Sequence, residues 1–434
     1  MKNQALKMPV SFVIFGITGD LAENKLIPAL FNLFRYGKLP KKFQIIGYSR
    51  RPIERPEFLA YLEKSLEKLK PSKTDLSQFF SHINYIQGHF EPLSDYRRLG
   101  EHLLKIDDEI FRECSNKLFY LAVPPVWYET IAKNLSHSGL TIPCGGRLGW
   151  TRVLIEKPFG HDFKTSRKLN LVLSRLFKED QIFRIDHYLG KGTSEEILKF
   201  RFTGNAREKI WNDRNIEKIK IQLLERKGVN DRGAFYDEIG ALRDVGQNHL
   251  LQMLALIVMK KPSKMVAKEI RKARAEILEK LQPISKKDLE NRVIKGQYIG
   301  YLKERGVKTD SKTETFFHLD VKLDKAHWNK TKFILEAGKA LNEDSVGIKV
   351  YFKDKKSSLT FNYNKSVGKT PEAYEKVLMD CVLGDQAIFN STAEVEAAWR
   401  FITPILENWK KLPLVPYTRG SRPEEISSKL PLPS

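Results

Sequence analysis

Cysteine is scarce in this chain: Cys114, Cys144 and Cys381 are the three in 434 residues. Their odd number and wide spacing argue against a disulfide framework and for a reducing, cytoplasmic setting. No zinc-finger spacing of Cys and His occurs, and no metal site is expected. Long apolar runs are missing too. The longest, residues 250–259, is too short to cross a bilayer and contains Gln252, so no membrane partner is expected. Lys2 and Lys7 are followed by no apolar signal core. Acids are outnumbered, 53 against 75 Lys and Arg, for a formal charge of +22. Such a balance raises nucleic acid as a partner. The basic residues, however, are spread along the whole chain and mixed with acids, as in Glu63-Lys64 and Glu67-Lys68. No aromatic-plus-basic pattern and no basic tail is present, so a solvated basic surface is expected, one that steers anionic ligands. There are no internal repeats.

What is present is ample apolar material, 41% hydrophobic and 11% aromatic, in a chain long enough for two domains. Residues 9–15 (PVSFVIF) read as a buried strand. Gly16-Ile17-Thr18-Gly19-Asp20-Leu21-Ala22 follows, then a helical pattern through Leu26, Ile27, Leu30, Phe31 and Phe34. Strand, glycine turn and helix together present backbone N–H groups and a helix amino end to a pyrophosphate. A plain strand–helix connection gives the same pattern, but the flanking elements favour the binding reading. The next strand, 43–48, ends in Ser49-Arg50-Arg51. An acid there would bind a ribose 2′-hydroxyl; two arginines and no acid favour a 2′-phosphate, hence NADP over NAD. A charged helix (55–69), a short strand (82–87), a helix (96–105) and a strand (117–123) stopped by Pro124-Pro125 come next, with Tyr128 just beyond. His82, His89, His102 and His137 are isolated and read as structural or exposed. Residues 153–155 form another buried strand, closed by Glu156-Lys157-Pro158-Phe159-Gly160. Lys157 is placed to bridge cofactor and substrate, before an X-Pro bond that can be cis.

The stretch around which the chain is organised is 184–191, Arg-Ile-Asp-His-Tyr-Leu-Gly-Lys. It follows the apolar end of a strand, 181–183, and gathers cations, a carboxylate, an imidazole and a phenol. His187, Tyr188 and Lys191 together suit a phosphate dianion. Beyond it the pattern changes. Residues 216–224, 315–323, 332–336 and 346–352 alternate apolar and polar, which predicts a mostly antiparallel sheet with one dry and one wet face. Glu225 closes the first of these. Asp237 to Asp244 carry three acids and an arginine, and Gln247-Asn248-His249 lead into the apolar helix 250–259. That places His249 at a helix amino end, which favours the neutral imidazole a general base needs. The helical stretch 264–287 reads as a solvated charged face, 373–382 and 393–409 as helices, and the Pro- and Ser-rich tail from Ser421 as loose.

These motifs resemble the glucose-6-phosphate dehydrogenase family. GITGDLA (16–22), EKPFG (156–160), RIDHYLGK (184–191), IWN (210–212), FYDEIGALRDVGQNHLLQM (235–253), KGQY (295–298), FILEAGKALN (333–342) and PEAYEKVLMDCVLGD (371–385) carry the resemblance. It implies an α/β plus α+β fold: an N-terminal Rossmann-like dinucleotide-binding domain, 1–185, then a larger substrate and oligomerisation domain, 186–434, with a mostly antiparallel sheet. It implies oxidation of glucose 6-phosphate at C1 with NADP⁺ as hydride acceptor. His249 matches the general base and Asp186 its carboxylate partner. His187, Tyr188 and Lys191 match the phosphate site, Glu225 and Asp244 the sugar-hydroxyl acceptors, and Lys157 and Lys339 the substrate lysines, Lys157 lying also near the nicotinamide. Gly16, Thr18, Gly19, Asp20 and Leu21 match the cofactor turn, Arg50 the 2′-phosphate contact, and Lys25 and Tyr128 secondary cofactor contacts. Family members form homodimers or homotetramers. Glu23 stands where a basic residue is frequent, Glu336 where arginine is frequent, and the segment between Phe352 and Pro371 is short. A second, structural nucleotide and full subunit contacts are therefore not expected. The alternatives are a related sugar-phosphate dehydrogenase using NAD and, more remotely, a basic nucleic-acid-binding protein on the same fold.

Overall fold

The computed structural model describes residues 7–146, 149–354, 357–364 and 372–428, with 205–207 described in backbone only. The chain divides into two compact units. One comprises Met1–Gly160, Arg167–Gly190 and Pro371–Asn390; the other comprises His161–Ser166, Lys191–Thr370 and Ser391–Ser434.

The first unit is built on β1 (Val10–Phe15), β2 (Phe43–Ser49), β3 (Ile83–Gln87), β4 (Asn116–Leu121), β5 (Thr151–Ile155) and β6 (Ile182–Ile185). These six pair in parallel. Every residue of β1 and β2 is buried, as a parallel sheet covered on both faces requires. Each fully buried Phe or Ile here contributes about 1.5–3 kcal/mol by leaving water. β6 extends further than the apolar run suggests. Arg184 lies inside it, buried, with its guanidinium bonded to Glu179 at 3.1 and 3.2 Å. The residue is part of the sheet's support, not of the polar turn that follows.

The second unit holds β7 (Ile216–Leu224), β8 (Val293–Tyr298), β9 (Phe316–Val321), β10 (Lys332–Gly338), β11 (Ser345–Phe352) and β12 (Ser358–Asn362). Late in the chain β13 (Phe389–Asn390) adds to β6 of the first sheet, antiparallel. β14 (Leu414–Tyr417) adds to β8 of the second. The sheet orders are β13-β6-β5-β4-β1-β2-β3 and β12-β11-β7-β10-β9-β8-β14. The second sheet is mostly antiparallel, with parallel pairs at β7–β10 and β8–β14. Its apolar face, including Ile219, Ile221, Leu335 and Ile348, is buried, and the helical segment Leu242–Leu250 packs on β7 and β10.

Three expectations are corrected in this unit. The helix carrying His249 begins well upstream of it: Leu242–Leu250 is wound as a π-helix and runs into Leu251–Val258. His249 is therefore interior to a continuous helix. The dipole acts within the first turn only, so it gives no support to a neutral imidazole. The charged stretch 264–287 is not wholly solvated. Within helix Ala267–Glu279, Arg274 is buried and its Nε bonds buried Glu394 at 2.6 Å. The tail is anchored as far as Ser428: residues Pro423–Ser427 form a helical turn with Ile426 buried, and Glu424 pairs with Lys220 at 2.7 Å. The short segment before Pro371 lies partly outside the described residues, at 355–356 and 365–371.

Candidate active site

In the first unit the strand order reverses between β1 and β4, the place where open α/β sheets bind ligands. Gly16 turns the chain there with φ of 80°. Its N–H donates to the Tyr48 carbonyl at 2.8 Å. An added Cβ would lie 2.4 Å from the Ala122 carbonyl oxygen, so only glycine fits between the ends of β2 and β4. The Gly19 N–H closes the turn on the Gly16 carbonyl at 3.0 Å. The Thr18 and Ser49 hydroxyls bond at 3.0 Å. Asp20 and Leu21 open the following helix, and Lys25 projects from its exposed side. Arg50 is exposed immediately after β2. Turn, helix start and guanidinium suit a phosphorylated dinucleotide by their donor chemistry. Tyr128 is placed differently. It is buried, and its hydroxyl donates to the Glu156 carbonyl at 2.9 Å.

The end of β5 carries Glu156 and then Lys157, joined by a cis bond to Pro158. The Glu156 carboxylate accepts from the Tyr120 hydroxyl at 2.6 Å, and Tyr374 supplies a second phenol. Burial pushes the Glu156 carboxyl up, against the pull of both phenols and of Lys157. At the end of β6, Asp186 is 1% exposed, and its Oδ1 accepts the Tyr188 N–H at 3.0 Å. The His187 ring lies 4.5 Å from that of Tyr188 and nearly parallel to Tyr374, at 12° and 6.4 Å. The structure thus brings Lys157, Asp186, His187 and Tyr188 around a carboxylate–phenol cluster. Sequence reasoning passed over Glu156 and Tyr374 as site residues, although both stand inside the motifs EKPFG and PEAYEKVLMD.

The second unit carries the remaining residues. Lys191 caps helix Gly192–Phe202, and its Nζ donates to the Tyr363 carbonyl at 3.2 Å. Glu225, one residue past β7, pairs with Lys339, one residue past β10, at 2.5 Å. β7 and β10 run parallel in register, Leu224 opposite Gly338, so the two residues follow the carboxyl ends of neighbouring strands. The Lys339 ammonium sits 5.3 Å from the centre of the Tyr236 ring. Burial raises the Tyr236 phenol well above its ordinary range, and Asp244 adds to that. Ala340, next to Lys339, has φ of 55°, which is strained for a residue with a Cβ. His249 is 1% exposed. A π-helix bonds five residues back, so His249 lies one turn beyond Asp244. Asn248 steadies that turn: its Nδ2 donates to the Asp244 carbonyl at 2.9 Å, and its Oδ1 accepts the His249 N–H at 2.7 Å.

Residues 13–196 match the family described as glucose-6-phosphate dehydrogenase, NAD binding domain. Residues 198–365 and 355–431 match its C-terminal domain. This chain belongs to the glucose-6-phosphate dehydrogenase family. Among curated relatives, the glucose-6-phosphate 1-dehydrogenase of Chlamydia muridarum is 35% identical, covering 96% of this chain and 94% of that one. That of Bacillus subtilis is 34% identical, covering 92% and 91%. A solved glucose-6-phosphate dehydrogenase in complex with glucose-6-phosphate superposes with a TM-score of 0.88 at 29% identity over 99% of both chains. Membership in this glucose-6-phosphate dehydrogenase family makes the protein an oxidoreductase with a Rossmann-like NAD(P) domain. Among the described residues no helix is long and apolar enough to cross a membrane.

Proposed function

We propose that this chain is a glucose-6-phosphate 1-dehydrogenase, oxidising C1 of D-glucose 6-phosphate to 6-phospho-D-glucono-1,5-lactone with NADP⁺. The observation that carries the reading is the near full-length match to both domains of the family in a chain that retains His249, Asp186 and Lys157. His249 takes the proton of the C1 hydroxyl, and Asp186 orients the ring and stabilises the imidazolium. His187, Tyr188 and Lys191 hold the phosphate, which fixes C1 for transfer. Glu225 and Asp244 accept sugar hydroxyls, and Lys339 and Lys157 bind the substrate, with Lys157 also facing the nicotinamide. Gly16, Thr18, Gly19, Asp20 and Leu21 bind the cofactor pyrophosphate, with Lys25 and Tyr128 as secondary contacts. Arg50 prefers a 2′-phosphate, hence NADP. Bound NADP⁺ supplies the hydride acceptor.

Residues 1–185 act as the cofactor domain, and 186–434 as the substrate and oligomerisation domain of a cytoplasmic homodimer or homotetramer, although 186–190 and 371–390 belong to the first compact unit and 161–166 to the second. Neither nucleic acid nor membrane is a partner. Glu336 offers a carboxylate, already engaged by Lys220, Gln222 and His318, where a structural nucleotide would call for a cation; we infer that none is held there. The test is nicotinamide absorbance with glucose 6-phosphate and either NADP⁺ or NAD⁺, beside His249→Asn. The wild type should reduce NADP⁺ in preference to NAD⁺. His249→Asn should still bind sugar phosphate yet lose about 10²–10⁴-fold in kcat. Near-normal turnover in the variant would remove His249 as the base.

A further inference from the structure

The three cysteines are far apart in sequence, but two of them meet in the fold. The helical stretch ending in Ile106–Phe111 is reversed by Arg112 at φ 58°, and the chain enters β4 through Glu113, Cys114 and Ser115. The segment leading to β5 brings Cys144 to the same spot. The side-chain ligand atoms of Asp107, Cys114 and Cys144 all lie within 4.8 Å of one another. Lys117 completes the group: its ammonium bonds Asp107 and stands 3.7 Å from the Cys144 sulfur. Asp107 is itself fixed, accepting from the Ser115 N–H at 3.2 Å and the Ser115 hydroxyl at 2.5 Å. Cys114 is exposed and Cys144 half-buried. Burial pushes the Cys144 thiol up to about 11. Gly145, directly after Cys144, and Gly146 both take positive φ, and a Cβ on Gly145 would lie 3.8 Å from the Cys114 Cβ.

We propose that Cys114 and Cys144 form a reversible dithiol–disulfide pair oxidised by hydroperoxides. Cys114 meets the oxidant. Its thiolate attacks one peroxide oxygen, the O–O bond breaks, and the departing oxygen takes up a proton, leaving a sulfenic acid on Cys114. Cys144 then resolves it. Its thiol gives up a proton as the Lys117 ammonium stabilises the developing thiolate, its sulfur bonds to the Cys114 sulfur, and the S–O bond breaks to release water. Two thiols lose two electrons in all, and the peroxide gains them. A small dithiol reverses the step. The four groups sit at the amino ends of β4 and β5, at the opposite end of these strands from Ala122 and Lys157, so the pair works apart from the residues of the reaction. The ammonium bonded to Asp107 occupies the place a divalent cation would need, which favours a disulfide over a metal site.

The test uses the full chain, treated with hydrogen peroxide, alkylated while denatured, digested and read by mass spectrometry. A cross-linked peptide pair joining Cys114 to Cys144 is expected, with accessible thiols falling from three to one and recovering on addition of dithiothreitol. In Cys144→Ser the Cys114 sulfenic acid should persist and be trapped by dimedone. In Cys114→Ser, an exposed position that spares the fold, the cross-link should vanish with Cys144 still free to alkylate. Oxidation of Cys114 to sulfinic acid in the wild type with Cys144 still alkylated would overturn the proposal. So would zinc binding at one per chain that protects both thiols while peroxide forms no cross-link.

Discussion

In the first sheet β1 and β2 are buried at every residue, and the residues proposed for the site stand where the strands end: Gly16, Arg50, Lys157, Asp186. In the second sheet the strands alternate, and the face away from helix Leu242–Leu250 carries charge within the sheet itself. There Glu336 bonds Lys220 at 2.9 Å and the His318 Nδ1 at 2.7 Å. The His318 Nε2 meets Asp320 at 3.3 Å, and Asp320 meets Lys332 at 3.2 Å. Register explains the ladder, since Glu336 lies opposite both Gln222 and His318. Both regions bury ionisable groups, but for different ends. At the strand ends of the first unit, burial leaves Glu156 with a raised pKa beside Lys157. Across the second sheet the buried charges satisfy one another. One arrangement leaves a perturbed carboxyl at a strand end, and the other neutralises charge across the sheet.

Breaking the second arrangement should be the costlier. Glu336→Ala leaves Lys220 and His318 without their shared carboxylate and should cost about 3–5 kcal/mol in urea unfolding. A loss under about 1 kcal/mol would mean that the ladder is solvated. Gly16→Ala strikes the other region. The added Cβ meets the Ala122 carbonyl at 2.4 Å, and the displaced turn should raise the cofactor KM by roughly 10²-fold while kcat/KM falls in parallel. Glu156→Gln keeps the shape of the phenol cluster and removes its charge. It should lower kcat/KM for glucose 6-phosphate about tenfold, equivalent to ~1.4 kcal/mol, with little change in the urea midpoint. Equal loss of stability and activity would reduce Glu156 to a structural role.

The smallest effects sharpen the contrast. Burial opposes the charge on His318, yet its bonds to Asp320 and Glu336 prevail and raise its pKa. A raised histidine contributes stability that is full below about 6.5 and is lost as pH rises through the folded value. Burial likewise opposes the charge on Glu336 and Asp320, but their partners hold both below the usual carboxylate range. Their share is present above about pH 4.3 and is lost as pH falls through the folded values. The wild type should therefore lose stability as pH rises above about 6.5, and His318→Gln should flatten that slope; an unchanged slope would place the titrating group elsewhere. Ala340→Gly relieves a left-handed backbone and should gain about 0.5 kcal/mol, measured as a small rise in Tm.

Much of this was legible in the sequence because it depended on local pattern. Residues 9–15 and 43–48 declared buried strands, the glycine turn declared its helix, and alternation at 216–224 and 346–352 declared the second sheet. What escaped depended on partners distant in sequence. Arg274 looked solvated because Glu394, which neutralises it, lies 120 residues on. Tyr374 stood only as part of a helix, 373–382, because the carboxylate it serves, Glu156, lies at the end of β5. His249 was misplaced for a different reason. The polar residues before it read as a lead-in to the apolar helix, whereas π-winding lets Asp244, Gln247 and Asn248 sit inside one helix. Cys114 and Cys144 show the same limit, since spacing along the chain says nothing of their meeting in space.

The corner bearing Lys339 is held from behind by the last part of the chain. The Tyr417 hydroxyl donates to the Lys339 carbonyl at 2.8 Å, the Gly420 N–H to the Ala340 carbonyl at 2.8 Å, and the Asn342 N–H to the Ser421 carbonyl at 3.2 Å. The carboxyl-terminal region thus works as a latch on a lysine nearly eighty positions earlier. Truncation before Tyr417 would release that latch and, on the role proposed for Lys339, weaken sugar-phosphate affinity.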